Sequence, residues 1–119
     1  MAVEPTNAKP AISVVVPVHN ERDNVAPLIA EIVAALRGRW PFEIIYVDDS
    51  SRDDTVAVLG ELKRTTAELR VIRHLSQCGQ STAIRSGVKA ARGAWIATLD
   101  GDGQNDPADI PKLIVERDQ

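Results

Sequence analysis

Four times along this chain a short apolar run gives way to a stretch with helical spacing, and this alternation constrains the fold more than any other feature. Ile12-Ser13-Val14-Val15-Val16 is β-branched, ends at Pro17 and reads as a buried strand. Val25, Leu28, Ile29, Ile32, Val33 and Leu36 then recur at helical spacing, with Asp23 or Asn24 as the expected cap and Pro27 in the first turn. Phe42–Val47 is a second strand, followed by a helix with Val56, Leu59 and Leu62 inward and a capping-box spacing at Ser51 and Asp54. Leu69–Ile72 is a third strand. Residues 79–91 form a third helix, with Ala83, Ile84, Val88 and Ala91 inward. Trp95–Leu99 is a fourth strand, and Asp106-Pro107 opens a fourth helix as N-cap and first residue. Continuously apolar strands joined by helices predict an α/β fold: a mainly parallel sheet in a three-layer α/β/α arrangement.

Composition narrows the class further. With 119 residues, 44% of them apolar, the chain suits one domain, and a net charge of −3 without a basic stripe argues against a nucleic-acid partner. The single cysteine, Cys78, excludes an internal disulfide and fits a reducing compartment. No apolar run approaches the ~20 residues of a membrane span. Residues 1–11 are rich in proline and lack an apolar pattern, so a flexible N-terminal tail is expected, with the folded unit at 12–119.

In a doubly wound sheet, ligands bind beyond the carboxyl ends of the strands. Every strand here ends in polar residues. His19, Asn20 and Glu21 follow the first, and Asp48, Asp49, Ser50 and Ser51 the second. His74, Ser76, Gln77, Gly79 and Gln80 follow the third, and Asp100 to Asp106 the fourth. The last loop is the sharpest. Asp100 and Asp102 stand two apart with Gly101 and Gly103 between and after them, and Gln104 adds an amide oxygen. Two such carboxylates suit a hard cation, Mg²⁺ or Mn²⁺, that keeps open positions for phosphate. A glycine-rich turn capping the next helix remains open as the alternative. An EF-hand does not fit, because an apolar strand precedes the loop. Asp48 and Asp49 suit either a helix cap or contacts to a nucleobase or ribose, and amides at Gly79 suit a phosphate.

Four segments taken in order resemble family 2 glycosyltransferases of the GT-A fold, and the polyprenyl-phosphate (dolichyl or undecaprenyl) sugar transferases among them. They are Val14 to Glu21, Val47 to Thr55, Gly79 to Ala83, and Leu99 to Pro107. The resemblance implies an inverting, metal-dependent hexosyltransferase that takes a GDP- or UDP-sugar as donor and a lipid phosphate as acceptor. It assigns Pro17, His19, Glu21, Val47, Asp48, Asp49, Gly79, Asp100, Gly101 and Asp102 to the donor nucleotide. It gives Asp100 and Asp102 the catalytic DXD role, and Asp100, Asp102 and Gln104 the metal. His19 stands where tyrosine is common, and Ser50 where glycine is frequent. The chain is expected to be the N-terminal, donor half of a truncated GT-A domain, associated with the cytoplasmic face of the membrane in a longer enzyme. An open sheet edge or helix face is expected to favour self-association. A nucleotide-sugar-binding module without catalysis is the alternative. A phosphoacceptor receiver does not fit, since its acidic pair would follow strand one, and no G-x-G-x-x-G supports a dinucleotide-binding domain.

Overall fold

The structure is a computed structural model that describes residues 9–102 and 106–110. Its elements run β1 (Ile12–Val18), α1 (Arg22–Leu36), β2 (Phe42–Asp49), α2 (Thr55–Thr65), β3 (Leu69–His74), α3 (Gln80–Ala90) and β4 (Trp95–Thr98). The four strands form one parallel sheet in the order β3-β2-β1-β4. Alternation along the strands sends side chains to two layers. Ile12, Val14, Val16, Phe42, Ile44 and Tyr46 pack against Val25, Leu28, Ile29, Ile32 and Leu36 of α1 and Leu59 of α2. Ile45 and Val47 point the other way, against Ala83 of α3. Each fully buried Val, Leu or Ile removes enough apolar surface to contribute about 1.5–3 kcal/mol to holding the layers together.

Several boundaries differ from the sequence expectation. β1 does not stop at Pro17 but continues to Val18, with Pro17 paired to Val47. The Val15 carbonyl accepts from Leu99 N on the β4 side, and strand alternation turns the Pro17 nitrogen the same way, beyond the last ladder pair with β4. A missing N–H there breaks no ladder bond. β2 likewise takes in Asp48 and Asp49, and β3 extends to His74. Helix α1 starts at Arg22, with Glu21 at the N-cap, because Asn24 N bonds back to Glu21 O. Pro27 therefore lies in the second turn, on the exposed face. The Ser51–Asp54 box does not form. Ser51 Oγ accepts from Asn20 N, while Asp53 Oδ1 takes the Thr55 amide at 2.9 Å. In α3, Ala83 and Gly87 are buried and Val88 is 40% exposed, since the small residues let the helix lie close on β1 and β2. Ala11, counted in the expected tail, is tied to the sheet. Its N–H donates to Pro41 O at 2.8 Å and its carbonyl accepts from Trp95 N. Residues 1–8 of that tail lie outside the described residues. Asp106 Oδ1 accepts from Ala108 N at 3.0 Å, as an N-cap does, but the fourth helix beyond Ile110 is outside the described residues too.

At the amino ends of the strands a buried carboxylate ties the layers. Glu43 accepts from Ser13 Oγ (2.6 Å), Arg70 Nη1 (2.7 Å) and Arg92 N (2.7 Å). Ser13 Oγ in turn accepts from Gly93 N, which leads into β4. Burial alone would raise the Glu43 carboxyl pKa. The donors from Ser13, Arg92 and Arg70 outweigh burial and hold it below the ordinary carboxylate value. Its stabilising contribution is therefore complete above the ordinary glutamate range and fades as pH falls through the depressed value. Glu43→Ala, which strands two arginines and a serine, is expected to cost about 3 kcal/mol in urea denaturation near pH 7. Glu43→Gln is expected to flatten the loss of stability that the parent shows below pH ~4, measured as the urea midpoint against pH.

Candidate functional site

The carboxyl ends of the strands open into a cleft of about 320 Å³. Its lining brings together Pro17, His19, Glu21, Asp49, Gly79, Asp100, Gly101 and Asp102, eight of the residues expected at the donor site. Val18, Gln77, Gln80 and Ala83 complete it. A larger cavity, about 770 Å³, sits at the opposite ends of the strands. Three of its four arginines are paired, Arg37 with Glu68 and Arg70 and Arg92 with Glu43, and Arg39 lies over the Trp40 ring, so the smaller cleft is the better candidate for chemistry.

Two expected residues are not in this cleft. Val47 is fully buried under α3. Asp48 is fully buried on the opposite face of β2 from Asp49, because consecutive strand residues point to opposite faces. Its Oδ2 accepts from Ser51 N at 3.2 Å, so it shapes the turn after β2. The acidic pair is thus divided into a loop-shaping Asp48 and a cleft-lining Asp49. Gln104 lies outside the described residues.

Asp49 is anchored at both carboxylate oxygens. Oδ1 accepts from Cys78 N at 2.8 Å and lies 3.0 Å from His74 Nδ1, and Oδ2 accepts from Gly79 N at 2.8 Å. Burial pushes its carboxyl pKa up, but the donors at Cys78, His74 and Gly79 outweigh burial and keep it below the ordinary range. It is ionised near neutral pH and holds the start of α3 in place. Gly79, the N-cap, has φ 96°, a region that glycine enters without a steric penalty.

Asn20 joins the first two loops. It adopts φ 57°, its N–H donates to Ser51 Oγ at 2.8 Å, and its Oδ1 accepts from Arg52 N at 2.8 Å and Asp53 N at 3.3 Å. His19 is fixed beside it. Its Nδ1 lies 2.7 Å from the Asp49 carbonyl, which can only accept, so Nδ1 carries the proton, and Nε2 then accepts from Asn20 Nδ2 at 3.3 Å. Ser50, where glycine was noted as frequent, has φ 59° and lies in that same left-handed region.

The fourth loop completes the rim. Asp100 and Asp102 are exposed, and Asp100 Oδ1 accepts from Gln80 Nε2 at 3.1 Å. Gly101 between them is buried. A Cβ there would run into Val18 Cγ1 and sit 2.8 Å from Pro17 O, so only glycine lets this turn press onto the end of β1. Two carboxylates flanking that turn form a hard-oxygen donor set of the kind Mg²⁺ and Mn²⁺ take. Sequence reasoning did not single out the partnership of His74 with Asp49 or of Gln80 with Asp100. The only available signal was that His74 and Gln80 lie at or just beyond the carboxyl end of strand three.

Solved structures with this fold are glycosyltransferases of the GT-A type. The mannosyltransferase PcManGT from Pyrobaculum calidifontis, in complex with GDP-Man and Mn²⁺, superposes with a TM-score of 0.76 at 22% identity, over 97% of this chain and 34% of that one. TarS residues 1–349 from S. aureus, in complex with UDP-GlcNAc, gives 0.76 at 22% identity, over 90% and 31%. The profile of Glycosyl transferase family 2 matches residues 13–118, and the chain belongs to that family. Among curated relatives, the dodecaprenyl-phosphate galacturonate synthase of Rhizobium johnstonii is 41% identical over 109 residues, 88% of this chain and 32% of the relative. The undecaprenyl-phosphate 4-deoxy-4-formamido-L-arabinose transferase of Pseudomonas savastanoi pv. phaseolicola is 37% identical, over 91% and 33%. The dolichol-phosphate mannosyltransferase of Mycosarcoma maydis is 33% identical, over 92% and 39%. The chain spans about a third of the length of these relatives.

Asn20→Ala removes the acceptor for two loop amides and places alanine at positive φ. It is expected to lower stability by about 1–2 kcal/mol in urea denaturation.

Proposed function

We propose that this chain forms the donor-binding half of an inverting glycosyltransferase that moves a sugar from a nucleoside-diphosphate sugar to a polyprenyl phosphate. The observation that carries this reading is the convergence of His19, Asp49, Gly79, Asp100 and Asp102 on one cleft at the carboxyl ends of the strands. The three relatives described above are lipid-phosphate sugar transferases or synthases, which supports the acceptor class. GDP-Man and UDP-GlcNAc in two structural neighbours support the donor class.

On this reading Asp49, ionised and facing the cleft, offers an acceptor to an N–H of the nucleobase. Pro17, His19 and Glu21 border the nucleoside. Asp100 and Asp102 would hold a divalent cation, with Gln104 proposed as a further ligand. Such a cation, when bound, neutralises charge on the departing nucleoside diphosphate. The acceptor phosphate is anionic near neutral pH and attacks the anomeric carbon from the opposite face. A strong protein base is therefore not required, unlike transfer to a sugar hydroxyl. No described helix is long and apolar enough to cross a membrane. A lipid acceptor nevertheless places the reaction at a membrane surface, and we assign it to the cytoplasmic face.

Calorimetric titration of UDP and GDP with and without Mn²⁺ tests the site. One nucleotide is expected to bind more tightly with the cation. Asp102→Ala is expected to weaken that binding by roughly tenfold or more, since even an outer contact to a metal is worth about tenfold. Binding that ignores both Mn²⁺ and Asp102→Ala sinks the assignment. Transfer of labelled sugar to polyprenyl phosphate by the full-length protein tests the reaction.

A further inference from the structure

Behind Asp49 stands a chain of hydrogen bonds that the donor reading does not use. His74, the last residue of β3, is mostly buried, with its side chain 14% exposed, and Asp49 is 5% exposed. His74 Nδ1 lies 3.0 Å from Asp49 Oδ1, and His74 Nε2 lies 2.8 Å from Ser86 Oγ on α3. The ring therefore spans from the carboxylate to the helix that covers this face of the sheet.

The protonation pattern follows from the partners. Ionised Asp49 only accepts, so Nδ1 donates to it, while Nε2 meets the Ser86 hydroxyl, which both donates and accepts. The sequence Ser–His–Asp is also that of a hydrolytic triad. Here, however, Ser86 lies in the middle of α3, where backbone N–H groups are engaged in the helix and are not aimed at a reacting oxygen. The arrangement is a strut.

An ionised carboxylate has about four acceptor directions. At Asp49 the Cys78 amide and His74 take Oδ1, and the Gly79 amide takes one direction of Oδ2. The terminal torsion of an aspartate is soft and roughly two-fold, so the two backbone amides alone leave the carboxylate free to rock. A rigid ring anchored at its far end prevents this. We propose that His74, braced by Ser86, is a positioning residue that fixes the remaining Oδ2 acceptor direction of Asp49 for one N–H of the donor nucleobase, the imide of uracil or the ring N–H of guanine. The proposal rests on the donor reading above.

Two measurements on the full chain decide it. Nitrogen-15 NMR of the histidine ring is expected to show a proton on His74 Nδ1, and Ser86→Ala is expected to weaken that preference. An Nε2–H tautomer in the parent overturns the strut. Titration of UDP and GDP with Mn²⁺ is expected to show His74→Leu roughly tenfold weaker for the preferred nucleotide, the effect of one lost bond to a charged group. His74→Asn, whose amide nitrogen takes the place of Nδ1, is expected to recover most of it. Parent-like affinity in His74→Leu, or no rescue by His74→Asn, overturns the role in recognition while leaving the donor reading intact. A parent that binds neither nucleotide sinks the donor reading, and the recognition role with it. The strut is then judged by hydrogen exchange at the Cys78 and Gly79 amides, which His74→Leu must accelerate in a protein that still melts cooperatively; unchanged exchange overturns it.

Discussion

Parallel pairing joins β1 to β2 from Ile12↔Phe42 to Val18↔Asp48, and both strands are buried along their whole length. Their common exit carries the loops at residues 19–21 and 50–54 into contact. Asn20 can then reach Arg52 and Asp53, and His19 can reach the Asp49 carbonyl. β4 lies on the other side of β1, so the turn at Gly101 closes over Pro17 and Val18. Only with this pairing in place do residues from four loops border one cleft. At the opposite end Glu43 and Ser13, themselves a paired couple in the same ladder, hold α3 and the approach to β4.

Much of this was legible in the sequence because apolar burial leaves a periodic trace. Short apolar runs marked all four strands, and helical spacing marked the first three helices. Gly79, and Gly101 with the acids on either side of it, marked two of the loops. What escaped depended on direction rather than composition. Pro17 looked like the end of a strand, because a sequence does not show on which side its missing N–H falls. Asp48 and Asp49 looked like a pair acting together because they are adjacent and polar. Strand geometry instead divides them between two layers. Val88 looked inward because it fits the helical stripe, but the close seat of Gly87 turns that stripe away from it. The link of His74 to Ser86 crosses from a strand to a helix on the sheet's other layer, and no local pattern records it.

Membership in Glycosyl transferase family 2 and the GT-A architecture agree with the resemblance carried by the four loop segments. The structure adds a division of labour among the acids. Asp48 and Asp53 shape loops, Asp49 ties a loop and faces the cleft, and Asp100 and Asp102 sit exposed at its rim. Exposure of the last two suits groups that meet a charged ligand from solvent. Asp48 and Asp49 are buried, and their bonds fix the loops that border the cleft.

The alternation along β2 has a consequence for how such a site can change over time. Inserting or deleting one residue anywhere in Phe42–Val47 would exchange the surroundings of the two acids. Asp49 would turn beneath α1, and Asp48 would face α3. Strand length therefore decides which acid faces the cleft, although the interior residues of β2 do not line it. The short connections after each strand are where a substitution can alter the cleft lining without turning the sheet inside out.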